Sequence, residues 1–220
     1  MGHVKILVAT GLLAEARAMR RYEVTACAGG GDSAGLEERL EANIAGASMM
    51  VSSGVGGALN PVLCIGDTVF DRGTAPDALV TVLTALVPEM REGMIVGSDT
   101  PIVTVADKAI LRALSSADMV DMETQIAARV ALRHGVPFMA LRVVSDTAAD
   151  ALPSAALAGM KPDGRTAPIA VLGQLIRHPS QLPALIRTAR NAAHALRVLG
   201  SVHRRLDLVG NVREHLIDMV

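Results

Sequence analysis

Aromatic side chains are nearly missing from this 220-residue chain: Tyr22, Phe70 and Phe138 are the whole set, and there is no tryptophan. Proteins that hold single-stranded nucleic acid stack its bases on aromatic faces, so nucleic acid is not expected as a partner. A flat ring bound here must rest on aliphatic side chains and backbone. Cysteine is scarce too. Cys27 and Cys64 are the only two, which excludes a disulfide scaffold and suits reduced thiols in the cytoplasm. Long apolar runs are also absent. The run from Val4 to Leu13 is too short to span a bilayer and lacks the basic start and cleavage site of a leader. The six histidines show no H-x-x-x-H or H-E-x-x-H spacing, so no metal is expected. Neither a G-x-S-x-G elbow nor a Walker loop occurs.

What is present describes a core-rich globular chain. Half of the residues are hydrophobic and 20% are charged, which excludes general disorder. The length suits one domain over residues 1–220. Its net charge of −1 hides an asymmetry. From Lys161 to Leu206 eight basic residues face a single acid, Asp163, so this stretch carries +7 and the remainder −8. Residues 151–206 are therefore expected to form a basic, helical C-terminal part. It is either a solvated helical face or a peripheral contact with the anionic inner face of a membrane.

The hydrophobic pattern alternates strand and helix. Strands are predicted at 5–10, 24–27, 48–53, 67–71, 93–97 and 136–144. Helices are predicted from Leu13, after a cap at Asp32 or Ser33, at 107–114, at 124–134 up to Gly135, and at 182–199; residues 76–86 are irregular or helical. This order implies an α/β fold: a single three-layer domain with a mixed central sheet and helices on both faces. Ligands in such sheets gather at the carboxyl ends of strands, and those ends carry the unusual residues of this chain.

Two kinds of feature stand there. Glycine runs, Gly29–Gly31 and Gly54-Val55-Gly56-Gly57, follow apolar strands. Their backbone N–H groups could cradle an anion, or the runs could be plain turns. The dinucleotide pattern G-x-G-x-x-G opening a helix is missing. Carboxylates are the second feature: Glu15 after the first strand, Asp121 and Glu123 before a helix, and Asp146 ending another strand. Single acids at such places are often caps. Several on one edge can supply general acid and base for glycosidic cleavage.

Three stretches carry a family resemblance. SGVGGALNPVLCIGD looks like a T-G-S-A-G-G-L-x-P-x-L-x-V-G-D segment, and VDMETQIAARVALRHGVPFMALRVVSD looks like a V-E-M-E segment that closes on V-P-F and I-S-D. ILVATGLLAEARAM resembles an opening strand with its acidic turn. Together they resemble the nucleoside phosphorylase and nucleosidase family, in its methylthioadenosine/S-adenosylhomocysteine nucleosidase and futalosine hydrolase branch, from about Lys5 to Asp150.

The resemblance implies a nucleoside phosphorylase-like fold and an enzyme with no cofactor. Asp146, positioned by Ser145, would act as general acid at purine N7. Glu123 would bind the ribose hydroxyls, with Met122 packed on the sugar and Arg142 supporting the carboxylates. Pro101 and Ile102 would line the base pocket, Gly54, Val55 and Gly56 would approach the sugar, and Glu15 would activate water. Inorganic phosphate is the rival co-substrate, held by Gly30, Gly31 and Ser53. Val55 replaces the serine that this family uses at the sugar or phosphate. The chain also has no room for the hairpin these enzymes carry between the first strand and the SGVGG segment. With the basic tail, these departures resemble the hopanoid-associated phosphorylase subgroup. That subgroup implies adenosylhopane as substrate, a lipid-linked adenine nucleoside, with adenine released in hopanoid biosynthesis. A small-nucleoside or futalosine-type hydrolase and a non-catalytic nucleoside or lipid carrier are the alternatives. A homodimer or higher homo-oligomer is implied as well.

Overall fold

A computed structural model describes residues 5–18, 24–153, 156 and 179–206. Tyr22 and the tail residues Lys161, Asp163, Arg165 and Arg177 lie outside the described residues.

Among the described residues the sheet has eight strands: β1 (Ile6–Thr10), β2 (Val24–Ala28), β3 (Met49–Ala58), β4 (Thr68–Asp71), β5 (Arg91–Glu92), β6 (Ile95–Gly97), β7 (Met119–Asp121) and β8 (Phe138–Asp146). Its main order is β2-β1-β3-β8-β4-β5, and β7 joins the far end of β3 and carries β6. β2, β1, β3 and β8 run parallel, whereas β4 is antiparallel to β8 and β7 antiparallel to β3. The sheet is thus mixed, as the sequence implies.

Helices cover both faces, because successive strand residues point to opposite sides. In β1, Ile6 and Val8 face one core and Leu7 and Ala9 the other. The first core is covered by α3 (Asp77–Leu86) and the long α6 (Leu182–Leu206), through Leu79, Leu83, Leu199 and Val202. The second is covered by α2 (Ser33–Asn43) and α5 (Thr124–His134), through Leu36, Leu40, Ile126 and Val130. The short α1 (Leu13–Ala18) follows β1, and α4 (Val105–Ser115) lies beside the site. Local chemistry sets the ends. Asp32 caps α2 by accepting from Gly35 N at 3.0 Å. Gly135, at φ 64°, ends α5.

The two largest boundary differences from the sequence reading have physical reasons. β3 does not stop at Ser53. It runs on through Gly54-Val55-Gly56-Gly57 to Ala58, because β8 pairs with it throughout, with a shift in register at Gly56/Gly57. The expected glycine loop is therefore strand. α6 continues seven residues past Leu199 to Leu206. Its face from Ala195 to Leu206 is buried against the sheet, so that half is core rather than a free apolar surface. Leu182 and Ile186, near its start, are exposed. No helix among the described residues is long and apolar enough to cross a membrane.

Candidate active site

A cavity of about 160 Å³ opens where the ends of β1, β3, β7 and β8 converge. Four acids line it: Glu15 of α1, Asp121 at the end of β7, Glu123 ahead of α5 and Asp146 at the end of β8.

Glu15 is fixed by backbone. Leu12 N donates to its Oε2 at 2.7 Å and Val55 N to its Oε1 at 2.8 Å. The residue is 2% exposed. Burial pushes its carboxyl above the usual range, while those two N–H groups and the Arg142 charge pull the other way. The glycine strand explains how the acid fits: a Cβ on Gly54 would stand 2.7 Å from Glu15 Oε1, and one on Gly11 would stand 2.8 Å from Glu123 Oε1. These glycines make room for carboxylates rather than offering donors to an anion.

Glu123 sits in a charge cluster with one guanidinium. Arg142, wholly buried on β8, has Nε 2.6 Å from Asp121 Oδ2 and Nη2 3.5 Å from Glu123 Oε2. It also donates from Nη2 to Ser52 Oγ at 2.8 Å and from Nη1 to Leu141 O at 3.0 Å. Asp121 accepts in turn from Glu123 N at 3.0 Å and Thr124 N at 2.9 Å, which closes the start of α5. Arg142 cannot balance Asp121, Glu15 and Glu123 together. Burial first, then the charges of Asp121 and Glu15 against that of Arg142, push the Glu123 carboxyl up to about 8. These surroundings therefore favour the protonated form of Glu123.

Asp146 has a partner that sequence reading missed. Lys108 of α4, 1% exposed, forms a buried ion pair with Asp146 Oδ2. Its Nζ also donates to Thr147 O at 2.7 Å and Asp150 O at 3.0 Å. Ser145 Oγ lies 2.9 Å from Asp146 Oδ1 and 3.1 Å from Gly56 O, with one proton to give. No local pattern marks Lys108. A lysine on a helix between Asp107 and Ala109 looks solvated in sequence, and only a partner 38 positions away buries it.

The remaining wall is aliphatic. Val55, Gly56, Pro101, Ile102 and Met122 line the cavity, and Leu12 and Leu152 add apolar surface. Arg142, Ser145 and Gly54 stand one layer behind the acids they contact. The residues assigned to phosphate do not gather here. Ser53 is buried on the opposite face of β3, with Oγ 2.9 Å from His203 Nε2. Gly30 gives its N–H to Gly11 O at 2.6 Å. Gly31, exposed at φ 81°, does not reach the cavity. The phosphate cradle is therefore corrected: its donors are occupied or face elsewhere. No group of His, Cys, Asp and Glu suited to a metal occurs among the described residues.

This architecture has solved counterparts. The 5′-methylthioadenosine/S-adenosyl homocysteine nucleosidase of Helicobacter pylori superposes over 100% of both chains with TM-score 0.64 at 15% identity. The S-adenosylhomocysteine nucleosidase of Streptococcus pyogenes covers 94% of this chain and 98% of its own, with TM-score 0.61 at 16% identity. The fold is that of the nucleosidases. The futalosine hydrolase of Helicobacter pylori shares it, covering 65% of this chain and 88% of its own, with TM-score 0.57 at 18% identity. Residues 73–177 match the family model described as the phosphorylase superfamily. No protein of curated function matches the sequence significantly. On the nucleosidase fold as it stands here, the cavity edge carries Glu15, Glu123 and Asp146, with Lys108 directly behind the last.

Proposed function

We propose that the chain cleaves the N-glycosidic bond of an adenine nucleoside with water and releases adenine. The observation that carries this reading is the convergence of Glu15, Glu123 and Asp146 on one cavity with an aliphatic wall. Breaking the bond leaves positive charge on the ribose and negative charge on the purine. Glu15 holds a water by a carboxyl oxygen and takes its proton as the oxygen attacks C1′. Glu123 binds the ribose hydroxyls, and Asp146 passes a proton to N7, so that the base leaves neutral. An acid-lined site repels a phosphate dianion, and Ser53, Gly30 and Gly31 offer it no donors. Both points support water over phosphate.

The finer reading is adenosylhopane as substrate, in hopanoid biosynthesis. It is supported by the short β1-to-β3 interval, whose described residues form α1, β2 and α2, and by the apolar Leu12 and Leu152 at the cavity. Exposed Leu182 and Ile186 with exposed Arg187 and Arg190 on α6 supply a place to touch an anionic membrane that holds the hydrocarbon.

The test is adenine release from adenosylhopane and from methylthioadenosine in detergent, with and without phosphate. Release from the lipid nucleoside, independent of phosphate, is expected. Asp146→Asn should lower it by roughly 10²–10⁴-fold. Release that requires phosphate overturns the hydrolytic reading, and release from methylthioadenosine alone overturns the lipid one.

A further inference from the structure

Among the described residues, Lys108 is the one cation that touches a cavity acid from a separate helix, and its job is not explained by packing. A buried ammonium costs several kcal/mol unless paired, and an apolar side chain on α4 would fill the same space. Three acceptors surround Nζ: Asp146 Oδ2, Thr147 O and Asp150 O. An ammonium has three N–H groups to match them. A neutral amine has two, and these still satisfy the two carbonyls, while its lone pair accepts from a protonated Asp146. Both proton placements therefore leave every group bonded. The other charges nearby are Asp150, with Arg187 Nε of α6 3.9 Å from it, and Asp121, Glu123, Glu15 and Arg142 around the cavity. Asp107, next on α4, faces outward to Thr104.

We infer that Lys108 is a positioning residue and proton reservoir, and that the proton reaching the departing purine starts on its Nζ. This rests on the cleavage reading above. Nζ gives its proton to the ionised Asp146 carboxyl, which passes it on to the purine nitrogen. The C1′–N9 bond breaks, and its electron pair goes to the purine, which leaves neutral. Water adds hydroxide to C1′ and gives its proton to Glu15. That proton passes to solvent, Lys108 regains one from solvent, and the enzyme is restored.

A leaving group that needs no proton separates this role from a structural one. The full chain is assayed on an adenine nucleoside that the wild type cleaves and on p-nitrophenyl riboside, whose phenolate leaves unaided. Lys108→Met should lower adenine release at least ~100-fold and leave nitrophenol release near wild type. Lys108→Arg keeps the positive charge on a group that does not deprotonate in proteins, and it should show the same split. Equal losses on both substrates, or full adenine release by Lys108→Arg, overturn the inference while the cleavage reading stands. A wild type that cleaves neither substrate overturns the cleavage reading itself. If both variants fail to fold, Lys108→Gln decides: its amide can still donate to the carbonyls but has no proton to pass on, so the same split is expected, and equal losses on both substrates overturn the relay.

Discussion

Ser52 and Ser53 are neighbours on β3, both fully buried, yet they serve opposite faces of the sheet. Ser52 Oγ meets Arg142 Nη2 and Thr124 Oγ1, so it belongs to the charge cluster under the cavity. Ser53 Oγ meets His203 of α6, inside the core that holds Phe70 and Leu83. One residue of offset separates a network built to hold charge from one built to avoid it. On the first side burial raises carboxyls that a single guanidinium cannot balance. On the second, burial alone presses the His203 imidazole down to about 4, so that it stays neutral. The same low-polarity interior shifts an acid upward and a base downward.

The sharpest way to break the contrast is to remove Arg142. Arg142→Met leaves Asp121, Glu123 and Glu15 without their cation. It should destabilise the fold by about 3–5 kcal/mol in urea unfolding at pH 7.5, with partial recovery toward pH 5 as the acids protonate. Loss below 1 kcal/mol would show that water reaches the cluster.

The pH profiles come next, and they have opposite signs. Glu123 titrates near 8 when folded and near its ordinary 4.5 when unfolded. The folded state thus holds the extra proton between those values, and stability falls as pH rises through that window. A few kcal/mol is the expected order. Glu123→Gln should flatten this limb in melts from pH 5 to 9. His203 behaves in reverse. Unfolded imidazole near 6.5 takes a proton that the folded one near 4 refuses, so stability is lost as pH falls from 6.5 to 4, by up to about 3 kcal/mol. His203→Gln should remove that loss. A melt that declined at neither end in the wild type would contradict both assignments.

The smallest effects compare the serines directly. Ser52→Ala leaves buried donors short of an acceptor, so it should cost about 1–3 kcal/mol and reduce adenine release. Ser53→Ala should cost about 1 kcal/mol and leave release unaltered with or without phosphate. A phosphate-dependent rate lost in Ser53→Ala would restore the anion site rejected above.

How far the sequence carried this picture follows from the range of each signal. α5 was legible to the residue, because its apolar spacing and Gly135 are local. The cap at Asp32 or Ser33 was local too, and the structure selects Asp32, while the strand expected at 136–144 runs two residues later, over Phe138–Asp146. β3 was cut short because four residues of glycine and valine look like a loop until β8 lies beside them. β7, three residues long, gave no period to detect. At the site, the acids stood out by chemical type and family resemblance. Lys108 did not, because its meaning depends on residues 38 to 42 positions away. Ser53 shared the glycine segment with the acid-side residues, and only strand alternation sends it to the other face.

The long reach of α6 has a consequence for how the chain is made. His203 meets Ser53 across 150 positions, and Leu199, Val202 and Leu206 close the core over Ile6, Val8, Met49 and Val51. During synthesis that face of the sheet waits for α6, so an apolar surface stays open until the segment to Leu206 has emerged. Contacts so distant in sequence also slow folding. The nascent protein should therefore bind holdase chaperones until residue 206 is free of the ribosome, and be released from them in a single late step.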